Sequence, residues 1–248
     1  MEKTRIIVHG LGRLGLCVAE NAAGGVVAAV DVAESAADFP VYGSFGEVKE
    51  AADVIVDCSH AEAIPALLTE ALRLKMPLVI CTTGFSGDTF QKIAEAANEL
   101  PIFVSSNMSL GVNLISKLAA MGAQALDGAG FDIEILESHH NKKLDAPSGT
   151  ALFLADSINN AMEGRFRYVH DRSKELSLRQ ADEIGISAIR GGSVVGEHTV
   201  FFMGDGEVVE ITHRALDRGI FARGALRAAE FIVGKPPRLY TMTDLLKE

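Results

Sequence analysis

Arg5-Ile-Ile-Val-His-Gly10-Leu-Gly-Arg-Leu-Gly15 opens with a short, continuously apolar run and passes straight into three spaced glycines. A run without polar alternation, residues 5–9, reads as a strand covered on both faces. Gly10 permits a tight turn, Gly12 lets the backbone approach a pyrophosphate, and Gly15 lets the following helix lie close to the strand. Residues 16–23 read as that helix, ended by Gly24-Gly25. The free N–H groups at such a helix start suit phosphate, so Arg13 and Leu14 join the glycines as candidate cofactor contacts. Residues 26–30 read as a second strand with Asp31 at its end, where a carboxylate can bind ribose hydroxyls. A glycine-rich turn without ligand is the alternative, and Arg13 is either a phosphate contact or a solvated charge. Val32, Ala33 and Glu34 follow Asp31 with no basic residue nearby. A 2′-phosphate would meet a carboxylate there, so NADH is expected over NADPH, with Arg13 the residue best placed to rescue NADPH.

Outward from this unit the same rhythm continues. Residues 52–58, 77–81 and 102–105 read as strands, and 61–74 and 89–100 as helices. The alternation predicts a parallel sheet with crossover helices. After residue 107 it breaks. A helix is expected over 111–126, a strand over 131–138 and a helix over 147–162. Strands follow over 185–189, 194–203 and 207–214, the last two joined by a hairpin at Gly204-Asp205-Gly206. This half reads as strand-rich, antiparallel or mixed. Residues 164–182 read as a surface loop region, 221–233 as a helix, and Pro236-Pro237 as the start of a tail that ends in 242–247.

The chain has 248 residues, enough for one large domain or two small ones. With 48% hydrophobic and 23% charged residues it is an ordinary globular composition, which excludes disorder, collagen and a coiled coil. The net charge of −10 argues against a nucleic-acid or anionic-membrane partner. It also sits oddly with an anionic substrate. Cys17, Cys58 and Cys81 are widely spaced with no C-x-x-C pair, so no zinc knuckle or disulfide framework is expected. Free thiols suggest a reducing cytoplasm. The apolar opening is too short for a signal-peptide core, and no stretch approaches the ~18 apolar residues of a membrane span.

The densest polar cluster is Glu137-Ser-His139-His140-Asn-Lys142-Lys143-Leu-Asp145-Ala-Pro147-Ser148-Gly149-Thr150-Ala151. It leaves a predicted strand and enters a predicted helix. Pro147 suits an early helical position, and Ser148, Gly149 and Thr150 leave helix N–H groups open to an anion. His139, His140, Lys142 and Lys143 bring protonatable groups beside them, which suits binding a carboxylate and delivering a proton. Three plainer readings stand beside this one: a zinc pair, which lacks a third ligand and faces two lysines; a solvated lysine face; and a helix cap without ligand.

The segment matches E-x-H-H-x-x-K-x-D-x-P-S-G-T-A at every fixed position, and so resembles the dihydrodipicolinate (4-hydroxy-tetrahydrodipicolinate) reductase family of lysine and diaminopimelate biosynthesis. Asp57-Cys58-Ser59, Thr82-Thr83-Gly84-Phe85, Ser106-Asn107-Met108-Ser-Leu-Gly-Val-Asn113, Arg190 to Thr199 and Glu210-Ile-Thr-His213 also resemble family segments, so nearly the whole chain is covered. Three departures stand out. The glycine loop is one residue shorter than in many members, the stretch after Asp31 is also short, and position 81 is Cys where many have Gly.

The resemblance implies a Rossmann-type domain, residues 1–108 with 219–248, and a mixed α/β domain, 109–218, that binds substrate and forms a homotetramer. It implies NAD(P)H-dependent reduction of 4-hydroxy-tetrahydrodipicolinate, a small dicarboxylate, with loss of water. His139 would donate the proton and Lys143 would be a second donor or stabiliser. His140, Ser148, Gly149 and Thr150 would bind carboxylates. Cys58, Ser59, Cys81, Thr82 and Thr83, with Ser105, Ser106, Asn107 and Met108, would line the nicotinamide half; no metal is implied. Other readings are a related amino-acid dehydrogenase and a non-catalytic NAD sensor, which would need neither His139 nor Lys143.

Overall fold

The computed structural model describes residues 3–33, 37–173 and 176–247. They divide into two compact units, Met1–Leu110 with Gly219–Glu248, and Gly111–Arg218.

The first unit is built on β1 (Ile6–His9), β2 (Val26–Val30), β3 (Val41–Tyr42), β4 (Val54–Asp57), β5 (Leu78–Ile80) and β6 (Pro101–Val104). Its helices are α1 (Arg13–Asn21), α2 (Ile64–Leu74) and α3 (Gly87–Ala96). Chain order then passes through the second unit, which holds α4 (Leu110–Ala125, its first residue still in the first unit), β7 (Asp132–His139), α5 (Gly149–Ala161), β8 (Arg167–Val169), β9 (Glu183–Arg190), β10 (Gly196–Gly204) and β11 (Glu207–Ala215). The chain returns to the first unit with α6 (Gly219–Ile232), β12 (Arg238–Tyr240) and α7 (Met242–Leu245).

The first sheet runs β12-β6-β5-β4-β1-β2-β3, and every pairing is parallel. Its strands are apolar throughout because both faces are covered. Successive side chains go to opposite faces: Ile6 and Val8 join a core with Ala222, Ala225 and Ala229 of α6 and Val18 of α1, while Ile7 joins one with Leu67 of α2 and Ile93 of α3. Chain order reverses between β1 and β4, the place where doubly wound sheets open a ligand crevice at their strand ends.

The second sheet runs β11-β10-β7-β9-β8. β10 is antiparallel to β7 and β11, whereas β9 is parallel to β7 and β8, so the sheet is mixed. On β7 alternate residues are buried. Ile133 and Ile135 pack under Ile115 and Ala119 of α4 and Leu154 and Ile158 of α5. The same inward row continues to Glu137 and His139.

Three expectations are corrected. Residues 164–182 are not all loop: β8 forms there because Arg167–Val169 pairs with β9, while Lys174 and Glu175 lie outside the described residues. The segment after Pro236-Pro237 is not a tail but the edge strand β12, anchored by buried Tyr240. Pro236 and Pro237 lie just ahead of the strand, so no proline interrupts its pairing. Pro147 lies ahead of its helix, which begins at Gly149 with Ser148 as N-cap. Among the described residues no helix is long and apolar enough to cross a membrane.

Candidate active site

The glycine loop is shaped by two unlike constraints. At Gly10, φ is +85°, and a Cβ would lie 2.8 Å from Ser59 Cα; at Gly15 a Cβ would lie 1.9 Å from the Gly10 carbonyl oxygen. Both glycines are therefore required by the fold. A Cβ on Gly12 would meet nothing within 4 Å. Gly12 is the N-cap of α1 and supplies no side-chain cap, so this helix start is left to an outside acceptor. α1 begins at Arg13, three residues before the expected start, which places Arg13, Leu14 and Gly15 in the first turn. Arg13 is exposed. The Asp31 carboxylate accepts from Leu11 N–H at 2.5 Å and Ala33 N–H at 2.8 Å. Burial works against its charge, but those backbone donors and His9 outweigh it and hold the carboxyl below its ordinary value. Glu34, read with it, lies outside the described residues.

Leu14, Cys58, Ser59, Cys81, Thr82 and Thr83 line one cavity of about 440 Å³. Thr82 Oγ1 is buried there with no hydrogen-bond partner among the described residues. A buried orphan hydroxyl in a cavity wall, beside an uncapped helix start and an open glycine, fits a polar cofactor. Ser59 Oγ donates to the buried Asp57 carboxylate at 2.6 Å, which also takes His9 Nδ1 at 2.8 Å. Ser105 and Asn107 hydrogen-bond one another, and Ser106 is exposed. Met108 is 3% exposed and packs in the core, and its carbonyl backs onto α6, where a Cβ on Gly224 would lie 1.7 Å away.

In the second unit His139 ends β7. Its Nδ1 lies 2.6 Å from Glu137 Oε2, so in the neutral ring Nδ1 carries the proton. Nε2 has no hydrogen-bond partner among the described residues and keeps solvent contact. Glu137 is fully buried, yet it accepts four bonds: from His139, from both terminal nitrogens of Arg190 at 2.7 and 2.6 Å, and from Ser148 N–H at 3.0 Å. Burial opposes its charge, but these donors prevail and its pKa is lowered. For His139 burial is the largest influence and lowers the pKa; Glu137 pulls it up, while the Lys143 and Arg190 charges push it further down. His198 of β10 packs edge-on against the His139 ring at 5.1 Å between centroids and meets Ser148 Oγ at 2.9 Å.

The two lysines separate. Lys142 is exposed, whereas Lys143 is largely covered and pairs with Asp145 at 2.8 Å. Asp145 is held charged first by Lys143 and also by the Gly149 N–H, so its carboxylate already sits among cationic and helix-start donors. His140 lies between Lys142 N–H at 3.2 Å and Arg218 at 3.3 Å. One ring nitrogen carries a proton in the neutral form, so only one of these contacts is then a hydrogen bond. Ser148 is buried; its hydroxyl caps α5 through Ala151 N–H and meets His198, so it braces the site. Sequence reasoning missed Arg190, His198 and Arg218, and gave Glu137 no role. Glu137 stood inside the motif, but its partner arrives from another strand, where His139 pairs with Arg190 in the β7–β9 register.

Models of the dihydrodipicolinate reductase N-terminus and C-terminus match residues 4–108 and 111–246. A 4-hydroxy-tetrahydrodipicolinate reductase of Caldanaerobacter subterraneus is 50% identical, over 98% of this chain and 98% of its own. Another from Exiguobacterium sibiricum is 43% identical, over 97% and 96%. Among solved structures, a dipicolinate-bound dihydrodipicolinate reductase from Paenisporosarcina sp. TG-14 has a TM-score of 0.79 at 24% identity, covering 97% of this chain and 98% of that one. An aspartate dehydrogenase from Thermotoga maritima has a TM-score of 0.53 at 15% identity, covering 95% and 99%. These two structural likenesses concern the fold.

Proposed function

The chain belongs to the dihydrodipicolinate reductase family, and from that premise we propose how its residues carry the reaction. It is a nicotinamide-dependent oxidoreductase of lysine and diaminopimelate biosynthesis that reduces 4-hydroxy-tetrahydrodipicolinate to tetrahydrodipicolinate with loss of water. The reaction takes up a hydride and a proton and releases water. When bound, the reduced nicotinamide supplies the hydride. The first unit is the cofactor domain: Gly12 and the α1 start hold the pyrophosphate, Asp31 the ribose, and the walls around Cys58, Ser59, Cys81, Thr82 and Thr83 the nicotinamide half. The second unit is the substrate domain. His139 donates the proton through Nε2 while Glu137 holds Nδ1. Lys143 neutralises a substrate carboxylate once it leaves Asp145, and His140, Gly149 and Thr150 receive the carboxylates.

The observation that carries this reading is the buried Glu137–His139 pair at 2.6 Å, which orients one imidazole and leaves its other nitrogen for chemistry. The test is NADH oxidation with substrate made by a coupled synthase. His139→Ala should cut kcat by roughly 10²–10⁴ and spare cofactor affinity; an unchanged kcat removes His139 from the mechanism. The same assay compares cofactors. Asp31, held charged and followed by Val32 and Ala33, favours NADH, and a strong kcat/KM advantage for NADPH overturns that preference.

The family resemblance implies a homotetramer, and the edge strand β11, with Val208 and Val209 exposed, offers it a contact surface. A monomeric mass in sedimentation equilibrium at micromolar concentration would remove that contact. Three free thiols fit the cytoplasm.

A further inference from the structure

We propose that Cys58 and Cys81 form a vicinal dithiol in the wall of the cofactor cavity, and that peroxide converts it to a disulfide that closes the cavity to nicotinamide. Neither cysteine is needed for the chemistry above. The effect on cofactor rests on the cofactor reading of the cavity, whereas formation of the bond does not.

Their placement follows from the register of two neighbouring strands. Asp57 of β4 pairs with Ile80 of β5. Cys58 and Cys81 are the next residue on each chain. Cys58 N–H donates to the His9 carbonyl at 2.8 Å, and Cys81 N–H to the Asp57 carbonyl at 2.9 Å, so both backbones are still held in line. Cys58 lies two residues after Val56 and Cys81 two after Val79. Val56 and Val79 face the same core, and both cysteines pack with it. The two-residue period therefore turns both side chains to one face. Neighbouring parallel strands lie about 5 Å apart, inside the Cα separation of roughly 4.4–6.8 Å that a disulfide spans. The Cys58 side chain is a direct neighbour of the Cys81 thiol and raises its pKa. Both line the cavity together with Ser59, Thr82 and Thr83. The third cysteine, Cys17, is on α1, where its sulfur takes Asn21 Nδ2 at 3.6 Å.

The two thiols are unlike. Cys58 is part-exposed and Cys81 is buried. The Cys58 contact, then burial, push the Cys81 thiol up, so it stays protonated. Cys58 is thus the attacking group and Cys81 the resolving one. The Cys58 thiolate attacks one peroxide oxygen; an S–O bond forms, the O–O bond breaks, and hydroxide leaves as water after taking a proton. Cys81 sulfur then attacks Cys58 sulfur; the S–S bond forms, the S–O bond breaks, and a second water leaves with the Cys81 proton. Two thiols are oxidised by two electrons, and the peroxide is reduced to water. The bond ties together the turns after β4 and β5. Those turns carry Ser59, Thr82 and Thr83, so the cavity wall is drawn inward.

The experiment uses the full chain, treated with hydrogen peroxide, alkylated and digested with trypsin without reduction. Arg13, Lys49, Arg73 and Lys75 place the three cysteines on separate tryptic peptides. The expected product is a Cys58–Cys81 linked pair lighter by two hydrogens, with Cys17 alkylated. NADH affinity, read by fluorescence, should fall about tenfold or more and return with dithiothreitol. Cys58→Ser, whatever its untreated affinity, should form no link and show no further loss on peroxide. Oxygen adducts on Cys58 without a link, or a link through Cys17, overturn the dithiol. A link with NADH affinity unchanged overturns the closing of the cavity. Reduced protein that binds no NADH overturns the cofactor reading instead, and the peptide link then still decides the dithiol.

Discussion

Glu137 stands at the centre of the candidate acid's environment. A carboxylate with no solvent exposure is costly unless paired, and here Arg190 and a backbone N–H cover what His139 leaves. The arrangement has two consequences for His139. Glu137 fixes which nitrogen is protonated in the neutral ring, and Arg190 offsets part of the upward pull that a lone carboxylate would exert. Glu137→Gln removes a charge that raises the His139 pKa, so the ring loses its proton at lower pH than before. The fall of kcat with rising pH should therefore begin earlier, and kcat at neutral pH should drop about 10²-fold. NADH affinity should not change. A variant with lower Tm but the parent's pH profile would make Glu137 structural only. Glu137 was legible as part of a motif but not as a partner, because the bond to Arg190 joins residues 53 apart in sequence.

The β1–loop–α1 element is where local sequence says most. The strand, the turn and the helix start each follow from residue type within a few positions. The structure adds a distinction that the shared letter G conceals. Gly15 is packed against the Gly10 carbonyl, whereas Gly12 faces open space. Gly15→Ala should lower Tm by several degrees, since a Cβ at 1.9 Å from backbone forces the helix off the strand. Gly12→Ala should leave Tm unchanged and raise the NADH KM. Equal loss of Tm in both, measured by calorimetry, would refute the division. Other elements were less legible. β3, β8 and β12 have two or three residues each and owe their existence to a neighbouring strand, so no periodic signal of useful length marks them.

Over the whole molecule, acid should be destabilising from just below neutrality. His198 is buried with its pKa pushed down to about 4, chiefly by desolvation. Between pH 6.5 and about 4 the unfolded chain therefore binds a proton that the folded one refuses, and stability falls as pH falls; that term alone is on the order of 3 kcal/mol. His139 and His213 are lowered too and act in the same sense. Carboxylates with lowered values, Glu137 among them, add their loss at more acid pH. Tm should decline below pH 6.5, and less steeply in His198→Gln; a flat Tm down to pH 4.5 contradicts this. The net charge of −10 hides a local reversal around His139, His140, Lys142 and Lys143, which a small dicarboxylate senses within about a Debye length, ~8–10 Å. Composition and the glycine spacing were enough for the fold class, because those signals are local or additive along the chain, while the reaction followed from the family resemblance of the His-His segment. The Glu137–Arg190 clamp, the inward His198 and the Cys58–Cys81 neighbourhood were not legible in this way. Each depends on which strands lie side by side, and strand order is settled by packing of the whole core rather than by any one segment.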